Sequence, residues 1–240
     1  MKPILLTIQL LVSTLTWGQY YSDLEVSPNQ LTPWTVDSLG EYSRTYHFGF
    51  SEGECELRIF VDDTTFAAQS SCYTWRESLG GFIDTFYTFN NVRINGTKFY
   101  SQESNGEFMV LNTETGQTAG LILYKPWTYQ FYAGGEFGSV LPDDNSVYLV
   151  GDYPEASKRI LTERELDRLN LDQLQIMRNE IYARYGYKFR EGGSMDTHFK
   201  NEKWYRGNYN AVEQWFTVIE LKNLDTIKKI EKEKTAANKG

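Results

Sequence analysis

The stretch Cys55-Glu-Leu-Arg-Ile-Phe-Val-Asp-Asp-Thr-Thr-Phe-Ala-Ala-Gln-Ser-Ser-Cys72 decides how the first half of this chain folds. Two runs of strand-forming residues flank Asp63-Thr64, and an even loop centred there sets Cys55 directly opposite Cys72. Cys55, Leu57, Ile59 and Val61 then share a face with Phe66, Ala68, Ser70 and Cys72, while Glu56, Arg58, Gln69 and Ser71 take the other. Opposed residues in a non-hydrogen-bonded pair lie about 4.5 Å apart at Cα, which suits a disulfide. A Cys55–Cys72 bond is therefore expected, with two buried free thiols as the alternative.

Further along, Asn95-Gly96 and Asn105-Gly106 read as hairpin turns flanking a shared strand from Lys98 to Ser104, and Thr115-Gly116 as a third turn. Eight or so short strands result. They suit an antiparallel meander that forms either an up-and-down barrel, with the lipocalin as one form, or a two-sheet sandwich. A closed barrel could hold a small apolar ligand or be filled by its own Phe and Tyr side chains. Trp75, Trp127, Tyr129, Phe131 and Tyr132 are candidates for a surface that stacks on sugars or peptides, with core packing as the other reading.

After Pro154 the composition changes to Leu, Arg, Lys and Glu, and so does the charge. Residues 19–152 hold 6 Lys/Arg against 18 Asp/Glu, whereas residues 153–240 hold 17 against 14. The acidic first half is unsuited to DNA or an anionic membrane, because phosphate binding needs a basic stripe. Thr162 to Glu165 and Thr217 to Glu220 are capping boxes, with staples expected from Leu161 to Leu166 and from Phe216 to Leu221. Asp172 opens a helix carrying Leu174, Met177 and Ile181 on one stripe, which Gly186 ends. A short helix near Met195 to Lys203 brings the number to about four. The whole reads as an α+β protein of two domains, an antiparallel β domain over 19–152 and a small all-α domain over 158–234. Residues 152–157, punctuated by Gly151 and Pro154, read as a linker open to proteolysis.

Helical periodicity places Arg178 beside the apolar stripe, half buried and needing a carboxylate or carbonyl partner. Arg184 falls further off the stripe. It is the candidate for an anionic ligand, with a surface pair to Glu180 as the other reading. The run Arg178-Asn179-Glu180-Ile181-Tyr182-Ala183-Arg184-Tyr185-Gly186, followed by Tyr187, Phe189, Phe199, Trp204-Tyr205 and the segment from Phe216 to Glu231, resembles the YARHG domain over about residues 159–231. That resemblance implies a small helical domain of exported bacterial proteins; it does not imply an enzyme. Arg178, Asn179, Glu180, Tyr182, Tyr185, Gly186, Trp204 and Tyr205 are structural residues on this reading. Tyr185 stands where the family name has His, so imidazole chemistry there is excluded and packing is its expected role.

Residues 1–18 have the pattern of a signal peptide, with Lys2, an apolar run from Ile4 to Leu15, and small residues at Thr16 and Gly18. The run is shorter than the roughly 20 residues of a membrane span, and no later segment replaces it; an uncleaved N-terminal anchor is the alternative reading. Cleavage before Gln19, without a nearby cysteine, implies a secreted or periplasmic protein that is not a lipoprotein. His47 and His198 are the only histidines and lack metal-ligand spacing, no G-x-S-x-G turn occurs, and Gly134-Gly135 lacks the Lys-Ser/Thr of a phosphate loop. Neither a metal nor a cofactor is expected. The leading expectation is a non-catalytic binding protein that engages cell-envelope material or another exported protein. A carrier with a β-barrel calyx and an envelope glycan hydrolase built on two carboxylates are the alternatives.

Overall fold

The computed structural model describes residues 26–48, 55–77, 80–124, 135–141 and 150–238. Alternating apolar residues up to Val140 build one antiparallel sheet of ten strands: β1 Leu31–Pro33, β2 Thr45–Phe48, β3 Cys55–Asp62, β4 Thr65–Arg76, β5 Gly81–Phe89, β6 Arg93–Asn95, β7 Lys98–Tyr100, β8 Asn105–Thr113, β9 Gly116–Leu123 and β10 Glu136–Val140. Their order is β5-β4-β3-β2-β10-β9-β8-β7-β6, and β1 also pairs with β8. The first hairpin has the expected register, with Asp62 paired to Thr65 and Cys55 to Cys72. A disulfide joins the two cysteines, whose Cα atoms lie 4.2 Å apart.

The later turns sit elsewhere than the Asn-Gly rule places them. Asn95 pairs with Lys98, so Gly96 and Thr97 form the first turn. Thr113 pairs with Gly116, so Glu114 and Thr115 form the third. Asn105 pairs with Tyr100 and Gly106 with Phe99, which puts both inside strands and gives the turn to Ser101 through Ser104. There the Ser101 hydroxyl donates to the Ser104 carbonyl at 2.7 Å and accepts from the Ser104 N–H at 2.9 Å. These side-chain bonds replace the glycine-dependent turn geometry.

The sheet is not closed into a barrel. Its terminal strands β5 and β6 are linked through residues 90–92, and the Gln102 N–H donates to the Asn90 carbonyl at 2.9 Å, yet no strand pairing joins them among the described residues. The interior is filled by Tyr42, Tyr46, Phe48, Leu57, Ile59, Phe99, Phe108 and Leu121, all essentially without exposure, and Tyr42 stacks on Phe108 at 3.8 Å. Among the described residues these side chains occupy the volume a calyx would need.

The helices that follow are α1 Glu155–Lys158, α2 Glu163–Leu166, α3 Leu171–Arg184, α4 Ser194–Lys200 and α5 Val218–Ala237. Both expected capping boxes form, and Asn170 with Gln173 supplies a third at the start of α3. Leu161 and Leu166 are both buried, as a staple requires, whereas Leu221 is 48% exposed and Phe216 is buried against other residues instead. No helix among the described residues is long and apolar enough to cross a membrane.

Residues 152–157 do not behave as an open linker. The N–H groups of Asp152 and Tyr153 donate to the Glu180 carboxylate at 2.8 and 2.9 Å, and Ala156 and Ser157 are buried. Limited trypsin digestion should therefore leave Lys158 and Arg159 uncut until the protein unfolds globally, a point that mass mapping of early fragments decides. Reduction of the disulfide should lower stability by about 3 kcal/mol, read from the denaturation midpoints of oxidised and reduced protein. Equal midpoints would show that the strand ladder alone holds the hairpin.

Candidate functional site

Helix α3 organises the C-terminal half. Leu174, Met177 and Ile181 recur on one stripe and are buried with Leu224, Ile227 and Ile230 of α5, while Arg178 donates from Nε to Glu231 across the two helices at 2.9 Å. Arg178 thus has the carboxylate partner that its half-buried position demands, its side chain being 26% exposed. Asn179 bonds back to the Gln175 carbonyl at 2.7 Å, and Tyr182 meets Phe216 edge-on at 4.9 Å. Gly186 follows the helix with φ +73°, and a Cβ there would lie 2.7 Å from the Arg206 carbonyl oxygen. Trp204 and Tyr205 pack on Phe199, and the Tyr205 hydroxyl donates to the Tyr187 carbonyl at 2.6 Å.

Arg184 is the main correction to the sequence reading. Its side chain is 6% exposed, so it is closed to an anionic ligand from solvent. The guanidinium pairs with Glu180, donates from Nε to the Val150 carbonyl at 2.8 Å, and donates from Nη1 to the Ser157 hydroxyl at 2.8 Å. Periodicity misplaced it because the covering surface comes from Val150 to Ser157, a segment outside the helix. Gly151 permits the closure: with φ +111° it lets the Glu180 carboxylate approach to where a Cβ would lie 2.3 Å from it.

Tyr185 does more than pack. Its phenol, buried at the end of α3, donates to the Glu220 carboxyl at 2.7 Å and accepts from the Gln69 side-chain amide of β4 at 2.8 Å. The same Gln69 nitrogen reaches the Trp215 carbonyl at 2.6 Å, and the Thr88 hydroxyl donates to that carbonyl too. Phe86 of β5 meets Tyr185 edge-on at 4.9 Å. The helical half therefore docks on the outer face of β4 and β5. Gln69, on the polar side of the hairpin pattern, is buried against it, and Ser71 beside it is buried as well. Burial holds both the Tyr185 phenol and the Glu220 carboxyl above their ordinary values.

Beyond this seam the same sheet face is open. Tyr73 and Trp75 continue the row of Gln69 and Ser71 along β4, opposite Asp84 and Phe82 of β5. They form an aromatic ledge on which Tyr73 is 55%, Trp75 57% and Phe82 49% exposed, with Trp75 and Phe82 in edge-to-face contact at 5.3 Å. The helical half ends at its border, where the Tyr209 hydroxyl donates to the Asp84 carbonyl at 3.2 Å. The Asp84 carboxylate raises the Tyr73 phenol, so an acceptor and a donor stand side by side among the rings. Trp75 was legible as a candidate. Tyr73 could have been added from the hairpin register, since it shares the parity of Gln69 and Ser71. Phe82 could not, because its place depends on the second hairpin. Trp127, Tyr129, Phe131 and Tyr132 lie outside the described residues, as does the segment 1–18. No group of three or more His, Cys, Asp or Glu suited to a metal ion occurs among the described residues.

Residues 151–232 match the family model of the YARHG domain. The match begins before Arg159, at the segment whose backbone is tied to Glu180, so that segment belongs with the helices. No curated protein and no solved structure matches the chain.

Removal of Arg184 leaves a buried carboxylate and a carbonyl unpaired, whereas Arg178 is partly hydrated. Arg184→Ala should lower stability by about 3–5 kcal/mol and Arg178→Ala by about 1 kcal/mol. Urea unfolding of the two variants tests that order, which is the reverse of the one helical periodicity alone suggests.

Proposed function

We propose that this is an exported, non-catalytic binding protein that engages cell-envelope glycan through the aromatic ledge of Tyr73, Trp75 and Phe82. Export is supported by the signal-like pattern of residues 1–18 and by the YARHG match, whose family resemblance implies exported bacterial proteins.

The observation that carries the reading is the ledge. Three large rings exposed together on a rigid sheet face mark a surface that buries something else, since such patches are rarely left to water. A pyranose ring offers an apolar C–H face that lies against an aromatic π face, and its hydroxyls can bond to the Asp84 carboxylate and the Tyr73 phenol. The cross-strand ladder beneath fixes the rings in place, so little order has to be created on binding. The YARHG region acts as a brace: it buries the near half of the β4–β5 face and leaves the far half presented.

Purified cell-wall sacculi are a direct probe. The protein should cosediment with them, and Trp75→Ala or Phe82→Ala should weaken that binding about tenfold, the effect of removing one central aromatic contact. Binding that both variants retain would place the site elsewhere. Absence of cosedimentation, with capture of an exported protein that depends on Trp75, would assign the ledge to a protein partner.

A further inference from the structure

Two buried carboxyls and the guanidinium of Arg184 lie at the seam between sheet and helices and just behind it, and the Arg58 guanidinium of β3, 3.6 Å from Glu56, lies on the sheet side. Glu180, Glu220 and Arg184 are all nearly without exposure. Arg184 stays charged in proteins, so it neutralises one carboxylate and leaves the other without a counter-ion. Geometry decides which. Glu180 has the direct guanidinium contact and two backbone N–H donors, from Asp152 and Tyr153. Glu220 has no direct cation. Its donors are the Tyr185 hydroxyl at 2.7 Å, the Thr217 N–H at 2.9 Å and the Thr217 hydroxyl at 3.1 Å, and the Ser157 hydroxyl stands between it and Arg184.

We propose that Glu220 is a protonated carboxylic acid in the folded protein at neutral pH, and that loss of its proton loosens the docking of the helical half on the sheet. The cluster is then electroneutral, as Arg184 cation, Glu180 anion and Glu220 acid. The acid can donate to the Tyr185 oxygen while the Tyr185 hydroxyl turns to the Gln69 side-chain oxygen, 3.2 Å away. Ionised, Glu220 adds a second negative charge to a buried seam whose near cation, Arg184, is already paired with Glu180, while Arg58 on the sheet side lies 3.6 Å from Glu56.

Burial pushes Glu220 above the ordinary carboxylate value, against the hydrogen bonds from Ser157, Thr217 and Tyr185 and the pull of Arg184. Other groups face the cluster. Glu155 and Asp152 add negative potential from the segment before and within α1, Tyr185 itself stays a neutral phenol, and Arg58 of β3 acts on Tyr185 from the sheet side. The folded chain thus keeps a proton that the unfolded chain releases once pH exceeds the ordinary carboxylate value. Stability from this group is complete below that value and falls as pH rises toward the folded one.

Thermal melting of wild type and Glu220→Gln from about pH 5 to about pH 9 tests this, because one retained proton changes the folding constant by up to about tenfold per pH unit. The wild type should lose stability relative to the variant as pH rises, since glutamine cannot ionise. Parallel melting curves would overturn the proposal. Should the variant not fold, the infrared carbonyl band of a protonated carboxylic acid in folded wild type at neutral pH decides the matter: its presence supports the proposal and its absence overturns it.

Discussion

A guanidinium placed out of reach of water must have its donors matched by protein acceptors, and Arg184 meets that requirement with groups drawn from three places in the chain. The Val150 carbonyl, the Ser157 hydroxyl and the Glu180 carboxylate all converge on it. Glu180 in turn accepts from the backbone of Asp152 and Tyr153, which lays the segment before α1 across the end of α3. Asn223 of α5 then takes over, accepting from the Leu161 N–H at 2.8 Å and donating to the Ala156 carbonyl at 2.8 Å. Buried polar groups left unmatched are costly, so each satisfied atom constrains where the next segment can lie. The YARHG match runs over residues 151–232 and so includes α1, α3 and α5, the helices that this network ties together.

The second constraint is that a sheet face patterned as polar does not have to be wet. Gln69 and Ser71 point away from the aromatic interior and are nevertheless buried; the helical half supplies Gln69 with the Trp215 carbonyl and the Tyr185 phenol, and Ser71 accepts from Arg58 of the sheet. The replacement of imidazole by phenol at 185 fits this location. A phenol keeps a donor and an acceptor at its tip and carries no charge into the seam, whereas an imidazole there would bring a titrating group against Glu220. Phe86, Tyr185 and Trp215 close the apolar part of the same contact. The two halves of the chain are therefore joined by a satisfied polar line inside an aromatic rim, with the exposed ledge as the continuation of that face.

Local rules were sufficient where the physics is local. The register of the Cys55–Cys72 hairpin follows from strand alternation and a two-residue loop, because a slip of one residue would send the whole apolar set to the wrong face. The capping boxes at Thr162 and Thr217 are likewise legible, since a hydroxyl and a carboxylate three residues apart satisfy helix-end N–H groups without help from elsewhere. The Asn-Gly turns misled because the Ser101 side chain, bonded to the backbone of Ser104, can build a turn as well as glycine can, and register is then decided by the ladder as a whole.

By itself, then, the amino-acid sequence determined the antiparallel first half, the helical second half with its YARHG motif, the disulfide and the candidacy of Trp75. Each rests on interactions between residues close in the chain or paired by a simple period. Only the tertiary structure decided that Arg184 is buried, that residues 152–157 are tied down, that the sheet stays unclosed over a filled interior, and that Phe82 joins Trp75 on an open face. Those outcomes depend on which distant segment covers a given surface, and burial of that kind is a property of the assembled molecule.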